Sequence, residues 1–363
     1  MNNKKSILQE RILSSLKKNP HGRLHLAPRL GKTKIVISII KRDNPNSILW
    51  VSPSAKLIKE DLKNEFIKWD GIDYIDKLST STYKSLHKIS GHFDFVVLDE
   101  EQFVTDKNML NFFNNSLTYN NIISMTGTPT KNPDKNLIYN LLNLDVLYQF
   151  DINEAVKEGI LSNYNIKVIN VNISRNKKIE VGKKGAKFFV SEKDNYDYLT
   201  SIVDKKPTKF NILNRMRAIK NSPSKIDVIK KLNSKLEGKK LIFCSYIEQA
   251  EDISKYTYHS KGDDKYFKQF KEGIINEIAM VDSGGVGETY RNIDHLLFMQ
   301  CDSGINGKSI QKIARTLLYQ EDYTANIWIL RLKGTKDEAW VEKALDNFDP
   351  QKIEVINSDK LFA

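Results

Sequence analysis

The chain has 363 residues, with 57 Lys+Arg against 45 Asp+Glu and a formal net charge of +12. At 40% hydrophobic and 10% aromatic it can bury cores, and its length suits two domains, which excludes disorder as a global description. Cys244 and Cys301 lie too far apart for a disulfide framework or a Cys-rich zinc module, and neither Met1–Lys18 nor any other stretch is apolar enough to be a leader or a membrane span, so an intracellular, cytoplasmic protein is expected.

In chain order, residues 6–17 place Ile7, Leu8, Ile12 and Leu16 on one side of an amphipathic helix. A short strand, Arg23 to Leu26, runs through Ala27, Pro28, Arg29, Leu30 and Gly31 into Lys32-Thr33 and a helical stretch stopped near Pro45. Strands are expected over 47–53, 93–100 and 121–129, then a helix over 135–143. After a basic stretch the alternation restarts with a strand at 239–246, a helix from Glu248, strands at 275–282 and 292–300, a helix near 308–319 and a strand at 324–332. Short apolar strands alternating with helices read as parallel sheets covered on both faces. Two α/β units are therefore expected, at 1–150 and 226–350, joined by an irregular basic segment at 151–225 and followed by a tail at 351–363.

Residues 167–220 hold 14 Lys+Arg against 5 Asp+Glu, three quarters of the whole surplus. Such a window suits a polyanion, because each phosphate neutralised releases condensed counterions. A solvated surface is the alternative for any charge run. Membrane-surface binding is disfavoured, since no apolar helical stripe accompanies the lysines.

A strand, a loop ending in Gly31-Lys32-Thr33 and a helix form a geometry in which backbone N–H groups hold phosphate oxygens. Lys32 would reach the β and γ phosphates of ATP, and Thr33 would place its hydroxyl on Mg²⁺. Leu26 stands where the full pattern has a glycine. Downstream, Val96-Val97-Leu98-Asp99-Glu100-Glu101-Gln102 puts carboxylates at the end of a buried strand, where open α/β sheets bind ligands. Asp99 would hold Mg²⁺ through water and Glu100 would orient and deprotonate an attacking water.

With these residues in place, the chain resembles the superfamily 2 DExx-box helicases and translocases, whose motifs occur in order as far as about residue 332. The resemblance implies two tandem RecA-like parallel-sheet domains with ATP bound by Pro28, Arg29, Leu30, Gly31, Lys32 and Thr33. Gln9 resembles the adenine-reading glutamine. Ser52-Pro53-Ser54 looks like motif Ia, and Ser79 to Thr82, with Thr80 and Ser81 at its centre, like motif Ib; both contact the nucleic-acid backbone in that family. Asp99 to Gln102 is a DExx-box variant whose Gln102 would join the nucleotide site, and Thr126, Gly127 and Thr128 lie in the motif III equivalent that couples it to strand movement. In the second half, 239–245 resembles motif IV. Residues 285–290 resemble motif V, with Gly287 near the nucleotide and Thr289 in coupling, and 311–315 resemble motif VI. Gln311 would sense nucleotide and Arg315 would be an arginine finger.

Motif VI departs from the family, with Leu318 where a second arginine is usual, Ala314 for glycine and Lys312 for arginine. Either Arg315 suffices or another residue such as Arg331 substitutes. Thr289 and the DEEQ box are closest to small phage-type, UvsW-like DNA helicases. The expected function is an ATP- and Mg²⁺-dependent DNA helicase or translocase, with DNA favoured over RNA and Lys183, Lys184, Lys205 and Lys206 among the phosphate contacts. A partner protein or a small wedge would supply unwinding. The alternatives are an RNA helicase, a weakly active or inactive helicase-like nucleic-acid-binding regulator, and a small-molecule P-loop phosphotransferase that would leave motifs III to VI and the basic window without a role.

Overall fold

The computed structural model describes residues 3–53, 61–130, 132–183, 185–281, 290, 292–301, 308–314, 316–317, 319–320 and 323–362. Between Leu161 and Ser162 the chain passes from one compact unit to a second.

The first unit carries strands β1 (Gly22–Leu26), β2 (Ile48–Ser52), β3 (Leu78–Thr82), β4 (Gly91–Asp99), β5 (Leu117–Thr126) and β6 (Val146–Phe150). They form one sheet in the order β3-β2-β4-β5-β1-β6, with every neighbouring pair parallel. β2 is buried along its whole length and β4 from Phe95 to Leu98, so these strands read as continuous apolar runs rather than as alternation. The helices are α1 (Asn3–Ser15), α2 (Lys32–Asp43), α3 (Leu62–Lys68), α4 (Leu110–Phe113), α5 (Pro133–Leu141) and α6 (Ile152–Lys157). Capping explains several of their boundaries. Asn44 ends α2 in the left-handed region with its N–H on the Ile40 carbonyl. Asn132 caps α5 just before Pro133, and Asp151 and Glu154 form a reciprocal capping box on α6. Because all six strands run the same way, the ends at Leu26, Ser52, Asp99 and Thr126 gather at one edge of the sheet, where α/β folds place ligands.

The second unit carries β7 (Asn163–Val171), the pair β8 (Lys178–Lys183) and β9 (Ala186–Ser191), then β10 (Lys240–Cys244), β11 (Thr257–Tyr258), β12 (Glu277–Val281), β13 (His295–Phe298), β14 (Thr324–Leu332) and β15 (Ile353–Asn357). Seven of these make a second all-parallel sheet in the order β11-β12-β10-β13-β14-β7-β15. Two parallel-sheet α/β units are therefore present, as the alternation of strands and helices implies.

Two expectations about the irregular parts change. Residues 151–225 are not an irregular connector: they supply α6, β7, the antiparallel β8–β9 ribbon and the helices α7 (Glu192–Lys205) and α8 (Lys209–Lys220). β7 lies between β14 and β15, in register from Asn163 opposite Thr324 to Val171 opposite Leu332. Its buried Tyr164, Ile166, Val168, Ile169 and Val171 form a core strand that interleaved Asn and Lys residues obscure. Residues 353–357 are likewise not a free tail, because β15 extends this sheet beside β7. The helix α9 (Pro223–Lys235) then packs Ile229 and Leu232 into the core beneath.

Candidate nucleotide site

The loop between β1 and α2 has the shape a phosphate cradle needs. Leu26, standing at the glycine position, is the last residue of β1, paired with Phe150 and buried in the core. The left-handed residues come later, at Arg29 (φ 73°) and Gly31 (φ 85°). Gly31 is also the N-cap of α2 and has no side chain with which to cap it, leaving first-turn N–H groups for an anionic ligand. A Cβ on Gly31 would lie 2.5 Å from Gln9 Nε2. Buried Gln9 donates from Nε2 to the Leu30 carbonyl at 2.7 Å, and its Oε1 accepts from Lys34 Nζ at 2.7 Å. Gln9 thus braces the back of the loop through both ends of its amide.

Thr33 and Lys32 open α2 and are half-buried. On neighbouring β5, Thr126 leads into Gly127, where a Cβ would sit 2.9 Å from Pro28 Cγ and 3.1 Å from Lys32 Nζ. Absence of a side chain at Gly127 therefore lets the β5 turn close onto the loop and the lysine. Asp99 ends β4, and its pKa is pushed up to about 7 by burial first and by the adjacent Glu100, against the opposing pull of Lys32. Glu100 itself adopts φ 55°, a conformation that costs a non-glycine residue on the order of 1–3 kcal/mol and is found where a turn is over-determined by its surroundings.

Those surroundings are visible. Three successive supports hold the acidic turn by its carbonyls: Tyr83 Oη donates to Asp99 O at 2.9 Å, Tyr139 Oη to Glu101 O at 2.9 Å, and Lys135 Nζ to Gln102 O. Burial raises both tyrosine hydroxyls and lowers Lys135. The side chain of Glu101, 0% exposed, accepts from His25 Nε2 at 2.9 Å and from Ser124 Oγ, locking the turn to β1 and β5. Above it, Gln102 Nε2 donates to Glu100 Oε2 at 2.8 Å while Gln102 Oε1 accepts from Thr126 Oγ1 at 2.7 Å, and Thr126 Oγ1 accepts from the Thr128 N–H at 2.9 Å. Sequence reasoning does not single out His25, Tyr83, Glu101, Ser124, Lys135 or Tyr139 for these roles. The one signal that could have found any of them is the spacing of Lys135 and Tyr139, four apart on α5.

The arrangement fits ATP and Mg²⁺ in its donor set. A helix N-terminus and Lys32 suit phosphate, and Thr33 with Asp99 offers a hydroxyl and a carboxylate to a hard cation. Of the expected backbone contacts, Ser52 is buried at the end of β2, and Thr80 is exposed on β3 beside buried Ser81, whose Oγ donates to the Thr82 carbonyl at 3.1 Å. Pro53 is half-buried after β2, and Lys205 and Lys206 are exposed at the end of α7. Arg331, considered as a substitute finger, donates from Nε to Asn170 Oδ1 at 2.8 Å within the second sheet. Ser54, Lys184, Gly287, Thr289 and Arg315 lie outside the described residues, as do the side chains of Lys183 and Gln311.

Comparison with solved structures places this geometry in a known fold. The ATP-dependent Type ISP restriction-modification enzyme LlaBIII, bound to DNA, superposes at TM-score 0.62 and 14% identity over 98% of this chain, which spans only 31% of that enzyme. The Pyrococcus furiosus Hef helicase domain gives 0.56 and 15% identity, with 93% of this chain and 97% of the domain covered. Saccharomyces cerevisiae Dbp5 bound to RNA, ADP and BeF3 gives 0.55 and 13% identity over 98% of this chain and 90% of Dbp5. The fold is that of the RecA-like helicase core. No family profile and no curated protein sequence matches the chain. Among the described residues, no helix is long and apolar enough to cross a membrane.

Proposed function

We propose that the chain is a nucleic-acid-dependent ATP hydrolase that moves along or remodels DNA. The observation that carries the reading is the convergence at one sheet edge of the Gly31 cradle, Lys32, Asp99 and the linked residues Glu100, Gln102 and Thr126. Gly31 and the α2 N-terminus would bind the phosphates, Lys32 would neutralise charge on the β and γ groups, and Thr33 and Asp99 would hold Mg²⁺. Bound there, Mg²⁺-ATP supplies the phosphoryl group and the charge neutralisation that phosphoryl transfer requires. Glu100, aimed by its left-handed backbone and by Gln102, would take the proton of the attacking water. By their resemblance to motif VI, Gln311 would sense nucleotide and Arg315 would act as an arginine finger.

The DNA preference rests on the resemblance to phage-type helicases, while the basic window offers sequence-independent phosphate contacts that either polymer would satisfy. The restriction enzyme is bound to DNA and Dbp5 to RNA, so the fold admits either polymer. Turnover of ATP measured with single-stranded, duplex and forked DNA and with RNA tests the assignment. Stimulation by DNA is expected to exceed that by RNA. Stimulation by RNA alone would make the protein an RNA helicase, and tight salt-sensitive binding without turnover would make it a regulator that retains the helicase shape.

A further inference from the structure

Among the described residues, the β8–β9 ribbon belongs to neither large sheet, and its two strands pair only with each other, from Lys178 opposite Ser191 to Lys183 opposite Ala186. A lone two-stranded ribbon is marginal in water, and this one leaves β9 exposed from Ala186 through Phe189. Phe188 is 58% exposed and Phe189 67% exposed. Consecutive strand residues point to opposite faces, so the ribbon presents one uncovered phenyl ring on each side. Phe188 shares its face with its cross-strand partner Val181 and with Ile179 and Val190, whereas Phe189 sits opposite Glu180, which Lys187 reaches at 2.9 Å.

The base of the ribbon is held firmly. Glu192, buried at the start of α7, accepts from the Ser174 N–H at 3.2 Å and from the hydroxyls of Ser222 and Ser224 at the start of α9. The Glu192 and Lys193 N–H groups close onto the Lys177 and Ser174 carbonyls at 2.9 and 3.0 Å. Exposed aromatic and basic side chains also occur beyond it, with Tyr198 and Lys205 on α7, Lys206 just after it, and Lys209 and Phe210 opening α8. Apolar rings set in the most basic stretch of the chain suit a partner that offers π-faces and phosphates together, namely unpaired nucleic-acid bases.

We propose that the ribbon is a base-stacking wedge. At a boundary between duplex and single strand, Phe188 packs on the bases of one parted strand and Phe189 on those of the other, while exposed lysines of the same unit hold the phosphates. The inference rests on the nucleic-acid reading above and adds the element that separates strands, which would make a partner protein unnecessary for that step.

The test is binding of the full chain to forked DNA without nucleotide, with 2-aminopurine at the first unpaired position, for the parent and for F188A/F189A, F188L/F189L and F188Y/F189Y. Thermal melting of each variant checks the fold. Loss of an aromatic stack is expected to weaken fork binding at least fivefold in F188A/F189A and to remove the 2-aminopurine change. Tyrosine should restore both and leucine neither. Unchanged fork affinity and signal in F188A/F189A would overturn the wedge, as would leucine serving as well as phenylalanine, which would indicate an apolar protein contact instead. Because these readouts need no ATP turnover, they are separable from failure of the proposed function, which would show as a parent protein unable to hydrolyse ATP with any nucleic acid.

Discussion

Gln102 and Thr126 join the acidic turn after β4 to the end of β5 by a buried 2.7 Å hydrogen bond, Thr126 donating to the glutamine carbonyl. The other end of the same amide donates to Glu100. A displacement of the Thr126-Gly127-Thr128 turn is therefore felt at the carboxylate proposed to activate water.

Gln102→Leu and Thr126→Val are expected to leave ATP binding near the parent value and to lower nucleic-acid stimulation of turnover about tenfold each. Each also leaves a buried partner unsatisfied, at about 1–3 kcal/mol of stability. The double variant should lose no more than the worse single variant, because both cut the same link. Steady-state turnover with and without DNA for the three proteins checks this.

Glu101 is expected to matter for the turn's shape rather than for chemistry. Glu101→Ala strands His25 and Ser124 in the interior and should cost about 2–5 kcal/mol, read as a lower urea midpoint. Glu101→Gln, which keeps acceptor capacity, should cost less.

Asp99 gives a pH signature. Burial raises its pKa to about 7, so between about pH 4 and pH 7 the folded ligand-free protein binds a proton that the unfolded chain has already released, and this residue's contribution to stability declines as pH rises through that window. A cation ligand must be ionised, so binding of Mg²⁺-ATP should release protons near neutral pH. Affinity should fall by up to about tenfold per unit as pH drops below 7. Calorimetry in two buffers of different ionisation enthalpy measures the released protons. Lys32→Ala, which removes the charge that lowers this pKa, should move the transition upward.

Gly31→Ala should abolish phosphate binding by two routes. It places a side chain at φ 85° and drives a Cβ to 2.5 Å from Gln9 Nε2. Adding Gln9→Ala would relieve the second route but leave the first and remove the brace on Leu30, so nucleotide affinity in the double variant should stay far below the parent value, as a titration with a fluorescent ATP analogue would show.

Neutralising Lys183, Lys184, Lys205 and Lys206 together should reduce the slope of log affinity against log salt by up to about 0.7 for each single-strand phosphate that a lysine no longer neutralises. Nucleotide binding should stay near the parent value. Filter binding to single-stranded DNA between low and moderate salt measures the slope.

The parts legible in the sequence are those that a single strand carries by itself. The apolar runs through Leu49 and Val97 announce buried parallel strands, with Asp99 at the end of one of them and Lys32 at the start of the helix that follows β1. β7 is hidden because Lys167, Asn165 and Asn170 interrupt its apolar residues, although Tyr164, Ile166 and Val168 are all buried. The support beneath Glu101 is hidden for a different reason. His25 and Ser124 meet it only through the parallel register of β1 on β5, with His25 opposite Thr126 and Arg23 opposite Ser124. Pairing of that kind is a property of the folded sheet, and no local periodicity encodes it.

The central claim stands most directly on turnover of ATP by the parent protein and by Lys32→Ala in the presence of saturating single-stranded DNA. DNA-stimulated hydrolysis is predicted in the parent and a loss of about a hundredfold or more in the variant, as expected when a lysine that neutralises transition-state charge is removed. Equal hydrolysis by the two proteins would contradict it.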